Sequence, residues 1–130
     1  MINFDTAPEL AYFIWLKDNN IDFEYHPQKF FEYEFEGRIH RYFPDFFVEN
    51  KYIEIKGDQF FKPDGTMFCP YRNKTISDEI YEQRCRMYEA KQQCMTANGV
   101  AILKSADYKI YIDYVRNKYG HDYLKKFRKQ

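Results

Sequence analysis

The chain has 130 residues, of which 45% are hydrophobic and 31% charged, as expected for one globular domain with a substantial core. Basic and acidic residues number 20 each, so the net charge at pH 7 is zero, which argues against a uniformly basic nucleic-acid binder. No apolar run reaches the roughly 20 residues of a membrane span, and the amino terminus lacks the layout of a signal peptide, so we expect a cytoplasmic protein.

The distribution of charge and the cysteines further narrow the possible classes of protein. Residues 1–67 carry 7 Lys or Arg against 13 Asp or Glu, whereas residues 68–130 carry 13 against 7. The second half ends on a basic tail, which consists of Lys125, Lys126, Arg128 and Lys129. This tail is either a phosphate-binding segment or a solvated, frayed terminus. Three cysteines without a Cys-x-x-Cys spacing, beside only three histidines, support neither a disulfide framework nor a structural zinc site.

The first predicted element is a helix from about Ala7 to Asn19. Thr6 and Glu9 have the spacing of a capping box, in which the Glu accepts the backbone N–H of the Thr, and Pro8 suits the first turn. The apolar face of this helix comprises Leu10, Phe13, Ile14, Trp15 and Leu16. The local sequence therefore explains Glu9 as a helix-cap residue.

Two short strands are predicted next. Residues 21–25 and 31–36 alternate between apolar and polar side chains, and Pro27 interrupts the pattern between them. A turn near Gly37-Arg38 then leads into a strand that carries Pro44-Asp45. We expect three main antiparallel strands, with 21–25 as an edge extension.

Residues 41–57 form the most informative segment. A two-residue turn at Asn50-Lys51 predicts a hairpin that pairs Phe47 with Glu54 and Asp45 with Lys56. Alternation then places an apolar set on one face, namely Phe46, Val48, Ile53 and Ile55. The other face carries Asp45, Glu54 and Lys56, which is a candidate metal site with a cation attached. A cross-strand salt bridge of Asp45 with Lys56 would explain that pair alone, but neither the second carboxylate nor the proline.

The rest of the chain alternates between a loop, helices and a strand. Residues 58–75 contain prolines and a glycine without periodicity, which predicts a long loop beside the candidate site, either a flap or a surface insertion. Ser77 is a candidate N-cap for a helix that ends at Asn98-Gly99. Residues 100–103 predict a buried strand, and an apolar stripe from Tyr108 to Tyr119 predicts a last helix that Gly120 ends. A strand, a crossover helix and another strand form a βαβ unit, normally right-handed.

The predicted order is α-β-β-β-α-β-α, an α/β fold with a mixed central sheet flanked by helices, in a single domain over residues 1–130. Pro44-Asp45 followed by Glu54-Ile55-Lys56 resembles the two half-motifs of the PD-(D/E)XK nuclease superfamily, most closely its small phage and mobile-element nucleases. The resemblance extends weakly over most of the chain, and the predicted order is similar to the restriction-endonuclease-like core of that superfamily.

The resemblance implies roles for individual residues. Asp45 and Glu54 would hold Mg²⁺, or alternatively Mn²⁺, with the Ile55 carbonyl completing the protein ligands. Lys56 would orient or help to deprotonate the attacking water. Glu9 occupies the place of an acidic metal-site residue on the first helix of many relatives. Lys91 resembles a polar residue that relatives carry on the helix after the motif and would contact nucleic acid, although an ordinary exposed helix face explains it as well.

The chemistry agrees with those roles. Phosphodiester cleavage builds negative charge on a group that is already an anion, and Mg²⁺ prefers oxygen ligands. We therefore expect a metal-dependent endonuclease whose most natural substrate is DNA, by resemblance. Two alternatives remain open: a nuclease-like module that binds nucleic acid or protein without cleaving, and a subunit that cleaves only within a larger mobile-element complex. Nothing in the sequence requires His26 or His40, and a homodimer is neither required nor excluded.

Overall fold

The computed structural model describes residues 7–65 and 75–128, which fold into a mixed α/β arrangement. The helices are α1 (Ala7–Asp18), α2 (Asp78–Ala97), α3 (Ser105–Tyr119) and α4 (Tyr123–Arg128). The strands are β1 (Phe23–Tyr25), β2 (Phe31–Phe35), β3 (Arg38–Tyr42), β4 (Phe46–Val48), β5 (Lys51–Ile55) and β6 (Ala101–Leu103). None of the helices in these ranges is long and apolar enough to cross a bilayer.

The central sheet has four strands in the order β1-β4-β5-β6. β1, β4 and β5 run antiparallel, whereas β6 pairs with β5 in parallel after the α2 crossover, so the predicted mixed sheet and βαβ unit are confirmed. The predicted edge strand 21–25 is β1. It pairs with β4 in a register that sets Tyr25 against Phe46.

The predicted strand 31–36 does not join this sheet. β2 and β3 form a separate two-stranded hairpin, and the chain leaves β3 at Tyr42 before it enters β4 at Phe46. Pro44 lies in this break, and a proline has no N–H to donate to a sheet ladder. The single strand that we expected to carry Pro44-Asp45 is therefore two strands, and Asp45 lies just before the second of them.

Both hairpin turns lie one residue earlier than predicted. The β4–β5 turn uses Glu49 and Asn50, with φ of 49° and 66°, and the β2–β3 turn uses Glu36 and Gly37, with φ of 51° and 76°. Two successive positive φ angles give the twist that two-residue hairpins favour. Asn50 and Gly37 occupy the second position of the two turns. The first position of each turn is a glutamate, and a glutamate in a sequence does not indicate a positive φ.

The β4–β5 register consequently differs from the predicted one by two residues. Phe46 lies opposite Ile53 and Phe47 opposite Tyr52, so the predicted pairs Phe47 with Glu54 and Asp45 with Lys56 are wrong. A shift of two residues leaves every side chain on its predicted face, because strand side chains alternate with a period of two.

The core lies on both faces of the central sheet. On one face, α1 and α3 cover the four apolar residues that alternation assigns to the core, Phe46, Val48, Ile53 and Ile55, all of which are buried. On the other face, α2 and the β2–β3 hairpin bury Tyr42, Cys94, Met95 and Val100. The charged side of β5 therefore points under α2 and the hairpin and not into open solvent.

Local signals determine where the later helices begin and end. The Ser77 hydroxyl accepts the Ile80 N–H at 3.2 Å as the N-cap of α2, and Gly120 ends α3 with a φ of 99°. The predicted ends of both helices and the predicted start of α2 are confirmed, whereas α3 begins at Ser105, before the apolar stripe, and α4 is a helix that the predicted order lacks. The Thr6 cap of α1 and residues 66–74 of the predicted long loop lie outside the described residues, and the described part of that loop contains one 3-10 turn, Asp58–Phe60.

Candidate active site

Three elements bring the predicted acidic residues together. Glu9 comes from the first turn of α1, Asp45 from the residue before β4, and Glu54 from the penultimate position of β5. All three line one cleft of about 450 Å³, together with Ile55 and Lys56. The structure therefore assembles every residue of the predicted catalytic set in one place.

The acidic residues lie deep in this cleft. Glu9 is only 5% exposed and Glu54 only 3%, and they are the buried charged residues of the described chain. Asp45 is partly buried. Carboxylates are seldom buried unless they are paired or coordinate a metal, so this arrangement requires compensation.

The Asp45 and Glu54 carboxyl groups have different partners. Asp45 Oδ2 accepts the Ile55 N–H at 2.8 Å, which fixes the carboxylate against the end of β5. Glu54 Oε1 accepts the Tyr42 hydroxyl at 2.9 Å, while Glu54 Oε2 lies 3.5 Å from Lys56 Nζ. Lys56 thus forms its ion pair with Glu54 on its own strand, and not across the hairpin with Asp45.

Burial raises the pKa of both carboxyl groups to about 7. For Asp45 the next cause is repulsion by Glu9, whose carboxyl also shares a hydrogen bond with it. For Glu54 the next cause is repulsion by Asp45, which Lys56 and Lys91 offset in part. Burial and like charge both disfavour the ionised forms, and a cation in this cleft would favour them.

Lys91 is closer to the site than its helix position suggests. Its side chain extends from α2 into the same cleft, and its ammonium lies 5.6 Å from the centre of the Tyr42 ring. Burial lowers the Lys91 pKa, and repulsion by Lys56 lowers it further. The exposed-face explanation of Lys91 is therefore wrong, because its side chain is partly buried and lines the cleft.

Glu9 has contacts that a helix cap does not explain. The Tyr25 hydroxyl donates to Glu9 Oε2 at 3.1 Å, and the side chain shares a hydrogen bond with Asp45. Its position inside the cleft agrees with the metal-site interpretation, whereas Thr6, its partner in the cap, lies outside the described residues. Ile55 lines the cleft and holds Asp45 through its N–H, and its carbonyl as a metal ligand stays a prediction.

Sequence reasoning missed His26. One ligand atom each from Glu9, His26 and Asp45 lie within 4.8 Å of one another. His26 follows β1 directly, and the β1–β4 register carries it next to Asp45, where its backbone N–H donates to the Asp45 carbonyl at 2.8 Å. Only the long-range pairing of these two strands brings them together, and no local pattern predicts that pairing.

The described lysines of the basic tail, Lys125 and Lys126, do not line this cleft. α4 packs against α1 and α3 through Tyr123, which is 2% exposed and donates its hydroxyl to the Ala7 carbonyl at 3.0 Å. Lys126 donates to the Tyr119 carbonyl at 3.0 Å, and Lys125 is exposed. Residues 123–127 are therefore part of the fold and not a frayed end. The Arg128 side chain and Lys129 lie outside the described structure.

No family model, curated protein or solved structure matches the chain. The resemblance to the PD-(D/E)XK superfamily therefore stays a prediction that rests on the half-motif residues. Function has to be inferred from the geometry of the cleft.

Proposed function

We propose that the protein is a metal-dependent endonuclease that hydrolyses phosphodiester bonds, with DNA as its substrate by resemblance. The observation that carries the proposal is the convergence of three carboxylates and two ammonium groups in one cleft. Glu9, Asp45 and Glu54 supply the acidic groups, and Lys56 and Lys91 supply the cationic ones. Opposite charges side by side suit a substrate that must be bound as an anion and attacked by water.

A structural role accounts poorly for the same residues. Two buried carboxyl groups with pKa values raised to about 7 destabilise the fold whenever they ionise. A cluster that only stabilised the fold would have opposite charges in balance or apolar residues in their place. Strongly perturbed titrating groups in a cleft are typical of functional sites.

The donor atoms fit a divalent cation. Glu9, Asp45 and Glu54 would hold the ion, with the Ile55 carbonyl as a further oxygen ligand, and Mg²⁺ or Mn²⁺ accepts such oxygen donors. When bound, the ion would polarise the phosphate and lower the pKa of a bound water. Binding would also keep Asp45 and Glu54 ionised, since metal ligands must be deprotonated.

The lysines have separate tasks in this proposal. Lys56, held 3.5 Å from Glu54, orients the attacking water and balances the charge that grows on the phosphate. Lys91 reaches the cleft from α2 and contacts a phosphate oxygen of the bound strand, which agrees with its predicted role in nucleic-acid binding. The exposed Phe43 and the half-buried Phe60 also line this cleft.

A plasmid-nicking assay tests the proposal directly. Supercoiled DNA should be nicked or linearised in the presence of Mg²⁺ or Mn²⁺ and stay intact with chelator. Asp45→Asn should be inactive, whereas Asp18→Asn, which changes a carboxylate far along α1, should cleave like the wild type. Binding of DNA without cleavage in either metal would contradict the proposal and favour the non-cleaving module.

A further inference from the structure

The cleft contains a nitrogen donor that the predicted half-motifs do not include. His26 has a φ of 51°, an uncommon conformation for a residue with a side chain, and its backbone N–H is bound to the Asp45 carbonyl at 2.8 Å. Its imidazole stacks on the Tyr25 ring with centroids 3.8 Å apart. Tyr25 in turn donates its hydroxyl to Glu9. Tyr25 thus contacts both the His26 imidazole and the Glu9 carboxyl group.

The donor atoms lie at the spacing of ligands to a single ion. One atom each from Glu9, His26 and Asp45 are mutually within 4.8 Å. Two ligands of one first-row metal ion lie about 3 to 4.5 Å apart, given bonds of about 2.0–2.2 Å. Small rotations of these side chains are therefore enough to bring all three onto one ion. Glu9 lies in α1, His26 directly follows β1 and Asp45 directly precedes β4, so the tertiary fold alone produces the cluster.

The three donors differ in chemical type, and this difference has a consequence for metal choice. Carboxylate oxygens bind Mg²⁺ and Mn²⁺ alike, whereas a neutral imidazole suits transition metals and is a poor ligand for Mg²⁺. We propose that His26 is a metal ligand together with Glu9 and Asp45, and that it makes the site select Mn²⁺ over Mg²⁺. This inference rests on the metal-dependent function proposed above and names the ion that the same site prefers.

The competing arrangement is an ion pair. A protonated His26 would sit beside the Glu9 and Asp45 carboxylates as a cation, with the Tyr25 ring against its face, and would hold no metal. Both arrangements explain the short distances, but only the first requires a bond from the His26 nitrogen to a bound ion. A spectroscopic signal from that nitrogen therefore distinguishes them without any measurement of cleavage.

Mn²⁺ is the probe, because its unpaired electrons report directly bound nitrogen nuclei in electron spin-echo envelope modulation. The full chain is loaded with less than one equivalent of Mn²⁺, and histidine labelled with ¹⁵N is compared with unlabelled protein. We expect a ¹⁴N modulation that the label changes and that His26→Asn removes. Asn suits this position because it tolerates positive φ better than most residues.

The chain offers matched controls, since its only other histidines are His40 and His121. The double variant His40→Asn with His121→Asn should keep the histidine modulation. His26→Asn should raise the Kd for Mn²⁺ at least about tenfold while the Kd for Mg²⁺ changes by less than about threefold. If His26→Asn does not fold, the double variant still decides, because His26 is then its only histidine.

Three outcomes overturn the inference. Bound Mn²⁺ without histidine modulation, or a modulation that survives in His26→Asn, shows that His26 is not a ligand; absence of Mn²⁺ binding does the same. The nuclease proposal fails separately, through the nicking assay. A protein that cleaves with metal but lacks the histidine signal loses only this inference, and one that shows the signal without cleaving DNA loses only the nuclease.

Discussion

Two clusters of charged side chains lie at opposite ends of α1. The fold shifts the pKa of their carboxyl groups in opposite directions. At its carboxyl end, Asp18 accepts hydrogen bonds from Tyr114 at 2.8 Å, from Tyr119 at 2.9 Å and from Lys118 at 3.0 Å. Burial alone would raise the Asp18 pKa, but these three donors outweigh burial and lower it. At the amino end, Glu9 contributes to a cleft in which burial and like charge raise the pKa of Asp45 to about 7.

The difference lies in the number of carboxylates that lie close together. The Asp18 cluster has one carboxylate and three donors, so its charge is compensated within the protein and it joins α1 to α3. The cleft has three carboxylates within reach of one another, and its two lysines repel each other. A single carboxylate with several donors is typical of a structural cluster, whereas buried carboxylates that raise one another's pKa are typical of a functional site.

The largest expected effect separates the two clusters by mutation. Asp45→Asn or Glu54→Gln should lower metal-dependent cleavage by about a thousandfold or more, because each removes charge that the ion requires. The free energy of unfolding should stay the same or rise, since buried like charges no longer repel. Asp18→Asn should do the reverse, with normal cleavage and a loss of about 1 to 2 kcal/mol. Nicking rates and urea unfolding measure both quantities, and wild-type cleavage by either cleft variant would refute the assignment.

A second contrast concerns the lysines. Lys56→Ala should lower the cleavage rate about a hundredfold or more with only a small change in metal affinity, because Lys56 acts on water and phosphate in the proposed reaction. Lys118→Ala is the control, since Lys118 pairs with Asp18 at the other cluster. Its cleavage rate should match the wild type. If Lys56→Ala instead loses metal affinity and cleaves normally at saturating metal, Lys56 is a structural counter-ion.

The pH dependence of stability should differ in sign between the clusters. A carboxyl whose folded pKa is raised binds a proton in the folded state that the unfolded state has released. Asp45 and Glu54 therefore destabilise the fold progressively as pH rises from about 4 to about 7, and fully above that. Asp18, with a lowered pKa, stabilises the fold above about pH 4 and loses this effect as pH falls further.

Metal-free urea unfolding at about pH 5 and about pH 8 measures this effect. The wild type should be less stable at the higher pH, and Glu54→Gln should show a smaller decrease. Saturating divalent metal at about pH 8 should restore the lost stability, because a ligand that binds only the folded state stabilises it. Equal pH profiles for the wild type and Glu54→Gln would show that Glu54 ionises as it does in the unfolded chain.

Glu9 connects the cleft to α1 and has a smaller expected effect. Glu9→Gln keeps the shape and can still accept the Tyr25 hydroxyl, but it removes a charge, so divalent-metal affinity should fall about tenfold while stability stays within about 1 kcal/mol. Tyr25→Phe is the matched control, because it deletes the hydrogen bond and keeps the charge. Isothermal titration with Mn²⁺ measures both variants. Unchanged divalent-metal affinity in Glu9→Gln would show that Glu9 serves only as a helix-cap residue.

The sequence predicts some contacts in these clusters better than others. The difference depends on how far apart in the chain the contacting residues lie. Alternation alone places Asp45, Glu54 and Lys56 on one face, and a two-residue error in register leaves that result unchanged. The same error makes the pairing of Lys56 wrong, because it depends on the turn at Glu49-Asn50, whose first residue gives no signal.

Other parts of the site depend on contacts between distant elements. His26 enters it only because β1 pairs with β4, and Lys91 only because α2 crosses over the charged side of β5. The Asp18 cluster joins residues about a hundred positions apart in the chain, as in the hydrogen bond from Tyr119. Local periodicity gives no information about such contacts, which are determined by the packing of the whole core.

The smallest expected effect concerns the basic tail. The packing of α4 makes a point substitution a better test of this tail than a truncation. Deleting all residues after Leu124 would also remove Phe127, which packs against the α1–α3 core, and would confuse charge with stability. Lys125 is exposed and Lys126 is tied to Tyr119, so Lys125→Ala isolates the charge. If the tail contacts DNA, this variant should bind more weakly and lower the slope of log affinity against log salt by up to about one unit. Lys109→Ala, an exposed lysine on α3, serves as a comparison for general loss of positive charge. An unchanged slope in Lys125→Ala would assign this lysine to solvent and leave phosphate binding to the cleft lysines.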